Sequence, residues 1–185
     1  MKAIRIPSRH VALLRGINVG GKNMLPMKEL VGMFVAAGCE DVTSYIQSGN
    51  VVFSAEAKVV EALGSLISTR VQERFGLRVP VVLRTEAELK KVVRSNPFLQ
   101  ASAAEELILH VAFLADKPGA GLVAGLDAGR SSPDEFVVVG REIYMQLVKG
   151  VAGTKLTNAY FDSKLKTVST MRNWRTVLKL VEMMA

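Results

Sequence analysis

Val42-Thr43-Ser44-Tyr45-Ile46-Gln47-Ser48-Gly49-Asn50-Val51-Val52-Phe53-Ser54 is the stretch whose reading decides the fold. Val42–Gln47 and Asn50–Ser54 are rich in β-branched and aromatic residues, and Ser48-Gly49 between them is turn chemistry, so the stretch predicts a β-hairpin. A hairpin joins antiparallel strands and argues against a parallel crossover sheet. Upstream, His10–Ile17 is an apolar run of strand length, followed by a Gly-rich loop over Asn18–Leu25. Met27, Leu30, Val31, Phe34 and Val35 then recur at helical spacing, and Gly38 ends that helix. Downstream, Val59, Val60, Leu63, Leu66, Ile67 and Val71 predict a second amphipathic helix closed by Gly76. Arg78–Arg84 reads as a strand; its Pro80 removes one ladder donor, which an edge strand tolerates. The order is β-α-β-β-α-β, the ferredoxin-like arrangement.

The second half is a looser copy. His10-Val11-Ala12-Leu13-Leu14 recurs as His110-Val111-Ala112-Phe113-Leu114. A weak helix over Pro118–Ala128 follows, then a hairpin of Phe136–Val139 and Glu142–Val148 around Gly140-Arg141. Helices near Lys155–Leu165 and Trp174–Met184, with a short strand near Thr167–Ser169 between them, complete the second unit. The fold class predicted is α+β: two ferredoxin-like units in tandem, each an antiparallel sheet with helices on one face. Residues 1–84 form the first. Residues 85–185 hold a connecting helix over Thr85–Arg94, stopped at Asn96-Pro97, and the second unit.

Apolar residues at 49% and charged residues at 22% describe a globular chain rather than a disordered one. The single cysteine excludes a disulfide within the chain, and with two histidines it cannot complete a Cys/His zinc site, so no metal or cofactor is expected. No apolar run reaches the length of a membrane span, and Val11–Leu14 is too short for a secretory signal. The expectation is a cytoplasmic protein with no membrane partner. The net charge of +7 is unevenly spread. Residues 1–28 carry Lys2, Arg5, Arg9, Arg15, Lys22 and Lys28 with no acid, and residues 149–179 carry seven basic residues against Asp162. The segment between them is net acidic. If the two basic ends meet, they form a patch that attracts anions; otherwise they are solvated lysines and arginines.

Three motifs carry chemistry. Gly16-Ile17-Asn18-Val19-Gly20-Gly21-Lys22-Asn23 matches a P-loop except at the last position, where Asn23 lacks the hydroxyl that binds magnesium. Pro26 also delays the helix. Gly20, Gly21 and Lys22 beside a helix N-terminus remain a candidate anion site, with Arg15 and Asn18 next to them. The other reading is a tight glycine turn with Asn23 as helix N-cap. In Tyr45–Asn50, Gln47, Ser48 and Asn50 either present polar groups to a ligand or simply build the turn. In Thr170–Thr176, Trp174, Val177, Leu178, Val181 and Met184 mark a helix face with Trp174 as a core anchor. Arg172, Arg175 and Lys179 at i, i+3 and i+7 mark another face, able to grip phosphate or carboxylate, while Thr170 or Asn173 caps the helix. His10, His110 and Cys39 read as packed structural residues.

Ala12-Leu13-Leu14-Arg15-Gly16-Ile17-Asn18-Val19-Gly20-Gly21-Lys22-Asn23, Tyr45-Ile46-Gln47-Ser48-Gly49-Asn50-Val51, Asn96-Pro97-Phe98, Lys155-Leu156-Thr157, and Thr170 with Arg172-Asn173-Trp174 together resemble the domain of unknown function 1697 family. The resemblance implies a bacterial protein of two ferredoxin-like units and implies no reaction. Thr154 stands where members usually have Ser, Met171 where they have Thr, and Arg175 where they have Asn. Met171 therefore loses a hydroxyl, and Arg175 adds charge.

Three functions fit these residues. The first is a binding protein for a phosphate-bearing or other anionic ligand, a nucleotide or small molecule, resting on Arg15, Asn18, Lys22, Lys155, Arg172 and Asn173. Nucleic acid is disfavoured as the ligand because aromatic residues are only 6% of the chain, which leaves no stacking surface in view. The second is an enzyme acting on a small anionic metabolite, held by Lys155 and Arg172. The third is an interaction protein whose motifs are structural. The oligomeric state is not legible.

Overall fold

The computed structural model describes residues 7–99 and 108–185, so Lys2 and Arg5 of the first basic segment lie outside the described residues. The first half runs β1 (Ser8–Leu14), α1 (Met27–Val35), β2 (Glu40–Tyr45), β3 (Asn50–Ala55), α2 (Ala57–Phe75), β4 (Val81–Thr85) and α3 (Glu86–Arg94). The second runs β5 (Leu109–Leu114), α4 (Ala120–Ala124), β6 (Glu135–Val139), β7 (Glu142–Gln146), α5 (Gly150–Gly153), α6 (Asn158–Leu165), β8 (Ser169–Asn173) and α7 (Trp174–Met184). Each half carries one four-stranded antiparallel sheet, ordered β2-β3-β1-β4 and β6-β7-β5-β8, so both units are ferredoxin-like. Compact grouping of the chain assigns Met1–Leu89 with Leu180–Ala185 to one unit and Lys90–Lys179 to the other.

In the first unit the central strand is β1, paired on both sides, and Val11, Ala12, Leu13 and Leu14 are all fully buried. A strand covered on both faces reads as a continuous apolar run, which is what these residues supply. Ala12, Leu14, Val51 and Phe53 pack under Leu30, Met33 and Phe34 of α1 and Leu63, Ile67 and Val71 of α2. The α2 positions fall at i, i+4 and i+8, one face of a helix. Gly76 ends α2 in the left-handed region at φ 68° and donates its N–H to the Gln72 carbonyl. Cys39 follows α1 and is buried in this core; burial pushes its thiol up to about 11.

The structure shifts several predicted boundaries. β4 starts at Val81, so Pro80 sits just before the edge strand and its carbonyl accepts from the Arg15 N–H. α1 begins after Pro26, and no side chain caps it. The helix predicted from Lys155 is α6, which starts at Asn158 because the Thr157 hydroxyl accepts the Tyr160 N–H as N-cap. The strand predicted at Thr167–Ser169 is β8 and runs on to Asn173, held by its pairing with β5.

The two units share details that short sequence matches only suggest. His10 and His110 each donate from Nδ1 to the carbonyl two residues back, Ser8 at 2.7 Å and Ile108 at 3.0 Å. Leu14 N–H donates to the Gly49 carbonyl and Leu114 N–H to that of Arg141, both at 2.8 Å. Val11 faces Arg84 in the first sheet, and Val111 faces Arg172 in the second.

Gly49 closes the end of the first sheet at φ 78°, and a Cβ there would lie 2.7 Å from Leu14 Cβ and 3.0 Å from Ile17 Cδ1. Gly49→Ala combines a left-handed penalty with overpacking of core atoms, and should cost about 2–5 kcal/mol. Gly21→Ala, also left-handed but with open space around it, should cost about 1–2 kcal/mol. Urea unfolding of the two variants checks the ranking.

Candidate functional site

The β1–α1 loop is a small hairpin. Val19 bridges Lys22, the Lys22 N–H donates to the Val19 carbonyl at 3.0 Å, and the Asn18 N–H donates to the Asn23 carbonyl at 3.1 Å. Gly20 at φ 57° and Gly21 at φ 73° form the turn, the double left-handed pattern of a type I′ hairpin. Gly16, Asn18 and Asn23 are left-handed as well, so five of the eight motif residues occupy a region open mainly to Gly and Asn.

Side-chain amides lock that shape. Asn18 Nδ2 donates to the carbonyls of Leu25 and Gln47, both at 2.9 Å, and Asn18 Oδ1 accepts the Leu25 N–H at 2.8 Å. Asn23 Nδ2 donates to the Gly16 carbonyl at 2.7 Å. Asn23 is therefore a clasp across the loop and not the N-cap of α1, because three residues separate it from the helix start. The β2–β3 turn is tied into the same knot through the Gln47 carbonyl, and its own Asn50 is buried and donates to Tyr45 O and Ser48 Oγ, both at 3.1 Å. The first unit thus brings Asn18, Gly20, Gly21, Lys22, Gln47, Ser48 and Asn50 into one loop cluster, with Arg15 half-buried at its base. At its surface stand Lys22, Val19 at 62% exposure, Met24 at 65% and Ile46 at 51%. Ile46 is left-handed at φ 49°, which costs a β-branched residue about 1–3 kcal/mol.

In the second unit Lys155 is exposed, and its backbone is held from below. Its N–H donates to Ser131 Oγ at 2.9 Å, Arg130 Nε donates to its carbonyl at 3.1 Å, and the Arg130 guanidinium lies 4.1 Å over the Tyr160 ring. Ser131 Oγ in turn donates to Asp134 Oδ2 at 2.7 Å, and the Lys149 N–H donates to Asp134 Oδ1 at 3.0 Å. Thr154, at the position before Lys155, accepts the Leu156 N–H and lies 3.3 Å from Ser131 Oγ. Burial alone would push the Asp134 carboxyl up. The Lys149 N–H, the Ser131 and Thr154 hydroxyls and the Lys149 charge together outweigh it and hold the group below its ordinary value. Ser131 and Asp134 were not legible as a network, because their partners lie far along the chain; the Ser-x-x-Asp spacing was the available signal.

Arg172 corrects a sequence expectation. It lies in β8, not on a helix face with Arg175 and Lys179, because residues 169–173 pair with β5 as extended chain. It is 8% exposed, and its guanidinium donates to Thr170 Oγ1 and the Met171 carbonyl, both at 2.8 Å. Burial lowers its pKa to about 10, so it remains a cation at neutral pH. Thr170 is a buried strand residue, and Asn173 alone caps α7, its Oδ1 accepting the Thr176 N–H at 2.8 Å. Arg84, which sequence reading passed over, is the equivalent buried cation of β4 and donates to the Leu83 carbonyl.

Among the described residues no group of three or more His, Cys, Asp or Glu is placed to hold a metal ion, and no helix is long and apolar enough to cross a membrane. A cavity of about 530 Å³ lies between α1 and α2, lined by Glu29, Gly32, Met33, Ala36, Arg70, Glu73 and Arg74, none of them a motif residue.

Tandem ferredoxin-like units with an asparagine-clasped loop after the first strand define the class. The chain belongs to the family described as protein of unknown function DUF1697, whose profile matches residues 8–144 and so ends before the Lys155 and Arg172 motifs. Among solved structures it is similar to the conserved bacterial protein SP0830 from Streptococcus pneumoniae, at 25% identity and a TM-score of 0.66, covering 97% of this chain and 99% of that one. No curated protein matches the chain.

Three outcomes are expected. Asn18→Ala leaves the buried Leu25 N–H without its acceptor and puts alanine at φ 53°, so it should cost about 2–4 kcal/mol and speed hydrogen exchange in both loops. Asp134, with its folded pKa depressed, contributes stability that is present above the unfolded value of about 3.9 and is lost as pH falls through the lower folded value. Asp134→Asn should therefore flatten the stability profile below about pH 4, read by denaturant unfolding at stepped pH. A P-loop needs open N–H groups around phosphate, but the Lys22 N–H is closed on Val19 and α1 starts five residues later. Purified protein should release no phosphate from ATP above background.

Proposed function

We propose that the protein binds a phosphate-bearing or other anionic ligand, with Lys22 at the tip of the β1–α1 loop as the cation that meets it. One observation carries this reading. Five left-handed residues and two side-chain amides fix a loop that anchors Ile17 and Leu25 in the core and holds the segment between them, Val19–Met24, exposed. Fixing that backbone costs about 1–2 kcal/mol per residue in chain entropy, an expense suited to presenting a group in one position. Lys22 is the charged group presented, and Arg15 adds charge at the loop base. Lys155 is a second exposed cation on a braced backbone, in the other unit, and enters the proposal as a separate contact. Asn18, Asn50 and Asn173 act as positioning residues. Arg172, buried in β8 with bonds to Thr170 and Met171, is left out of the proposed contact.

A second reading has its own observation: Val19, Met24 and Ile46 expose apolar surface beside Lys22, which suits a protein partner. Thermal unfolding with pyrophosphate, nucleoside triphosphates and a single-stranded oligonucleotide separates the two. At a hundredfold excess over Kd an anion that binds only the native state adds about 2.7 kcal/mol, a rise of roughly 5–10 °C for a chain of this size. The rise should vanish in Lys22→Ala and persist in Lys58→Ala, an exposed lysine of α2. No shift with any of the three anions would leave the protein-partner reading. A shift confined to the oligonucleotide, falling steeply with salt, would assign the loop to nucleic acid.

A further inference from the structure

We propose that β6 is a pairing edge, and that its occupant is β6 of a second copy of this chain. β6 ends the second sheet, and no other described strand lies beside it. Its backbone parity is fixed from two sides. The Leu147 N–H donates to Ile108 and the Arg141 carbonyl accepts from Leu114, so the odd-numbered residues at this end of the sheet face β5. Glu142, Tyr144 and Gln146 therefore face β6, where they pair with Val139, Val137 and Glu135. The two-residue turn with Gly140 at φ 65° agrees, since its closing pair Val139–Glu142 is hydrogen-bonded. The N–H and C=O groups of Phe136 and Val138 consequently point away from the sheet.

The outer edge of the first sheet is blunted and this one is not. β2 carries Glu40 and Asp41, has Asp41 left-handed at φ 48°, and shifts register between Glu40 and Thr43. Acidic side chains and a bulge are the ordinary guards against edge pairing. β6 reads Glu135-Phe136-Val137-Val138-Val139 in unbroken register, with Val137 38% and Val139 41% exposed.

The strand is complementary to itself. With a twofold axis at Val137, Phe136 of each copy lies opposite Val138 of the other, and each such pair exchanges two hydrogen bonds. Val137 then faces its own copy at the close, non-hydrogen-bonded position, about 4.5 Å between Cα atoms. Glu135 falls opposite Val139 of the other copy, so no like charges face each other across the twofold. One strand pair buries less than the roughly 1,200 Å² of a standard interface, so the dimer is of the weak, concentration-dependent class.

Sedimentation of the full chain from about 10 μM to about 1 mM, a range that brackets weak association, tests this. Wild type should shift from monomer toward dimer. Val137→Lys, which sets two ammonium groups face to face on the axis, should stay monomeric at every concentration, while Val137→Thr should still dimerise. Hydrogen exchange of wild type needs no variant to fold: the Phe136 and Val138 amides should gain protection as concentration rises. A chain that stays monomeric throughout overturns the proposal. So does a dimer that leaves those two amides unprotected, or one that Val137→Lys does not disturb.

Discussion

Three main-chain hydrogen-bonding groups from two loops meet at the side chain of Asn18. Its amide nitrogen serves the carbonyls of Leu25 and Gln47, and its oxygen takes the N–H of Leu25. The β1–α1 loop and the β2–β3 turn are distant in sequence, and the apolar contact between them is the packing of Gly49 on Ile17. One amide makes them a single body. Gly49 lets the turn sit directly on Leu14 and Ile17, and the Leu14–Gly49 backbone bond continues the sheet ladder into the knot. A left-handed asparagine can adopt this backbone and reach three main-chain groups at once, which no apolar residue does.

The two units are built on one plan and finished differently. Histidines that donate to the carbonyl two residues back, the bond from the end of the central strand to the hairpin, and an arginine opposite the central strand's valine recur in both. Thr85 and Asn173 each end a fourth strand and cap the helix that follows, by accepting the N–H of Glu88 and of Thr176. The clasped loop has no counterpart of similar length after β5, where α4 begins at Ala120. In the second unit, polar support gathers instead around Asp134.

Legibility followed the range of the forces involved. The β2–β3 hairpin was readable because Val51-Val52-Phe53 is a β-branched and aromatic run and Ser48-Gly49 supplies the turn locally. α2 was readable because Leu63, Ile67 and Val71 repeat on one face and Gly76 stops the helix. β8 was misplaced because Thr170-Met171-Arg172-Asn173 is polar and resembles a helix entry; its pairing with β5, about sixty residues upstream, decides its form. The site divides in the same way. Gly20-Gly21 could be read as a turn from its residue types alone. The partner of Asn18 at Gln47 is 29 positions away and the partner of Asp134 at Lys149 is 15, and such contacts leave no local pattern.

Cys39 gives this protein an internal reporter. It is the single thiol of the chain, packed against the core of the first unit, and burial keeps it in the unreactive protonated form well past neutral pH. A thiol reagent in solution therefore meets it only when α1 lifts from the sheet and the group regains an ordinary acidity. The rate of alkylation under native conditions becomes a clock for opening of that one unit, with no engineered label and no second cysteine to confuse the count.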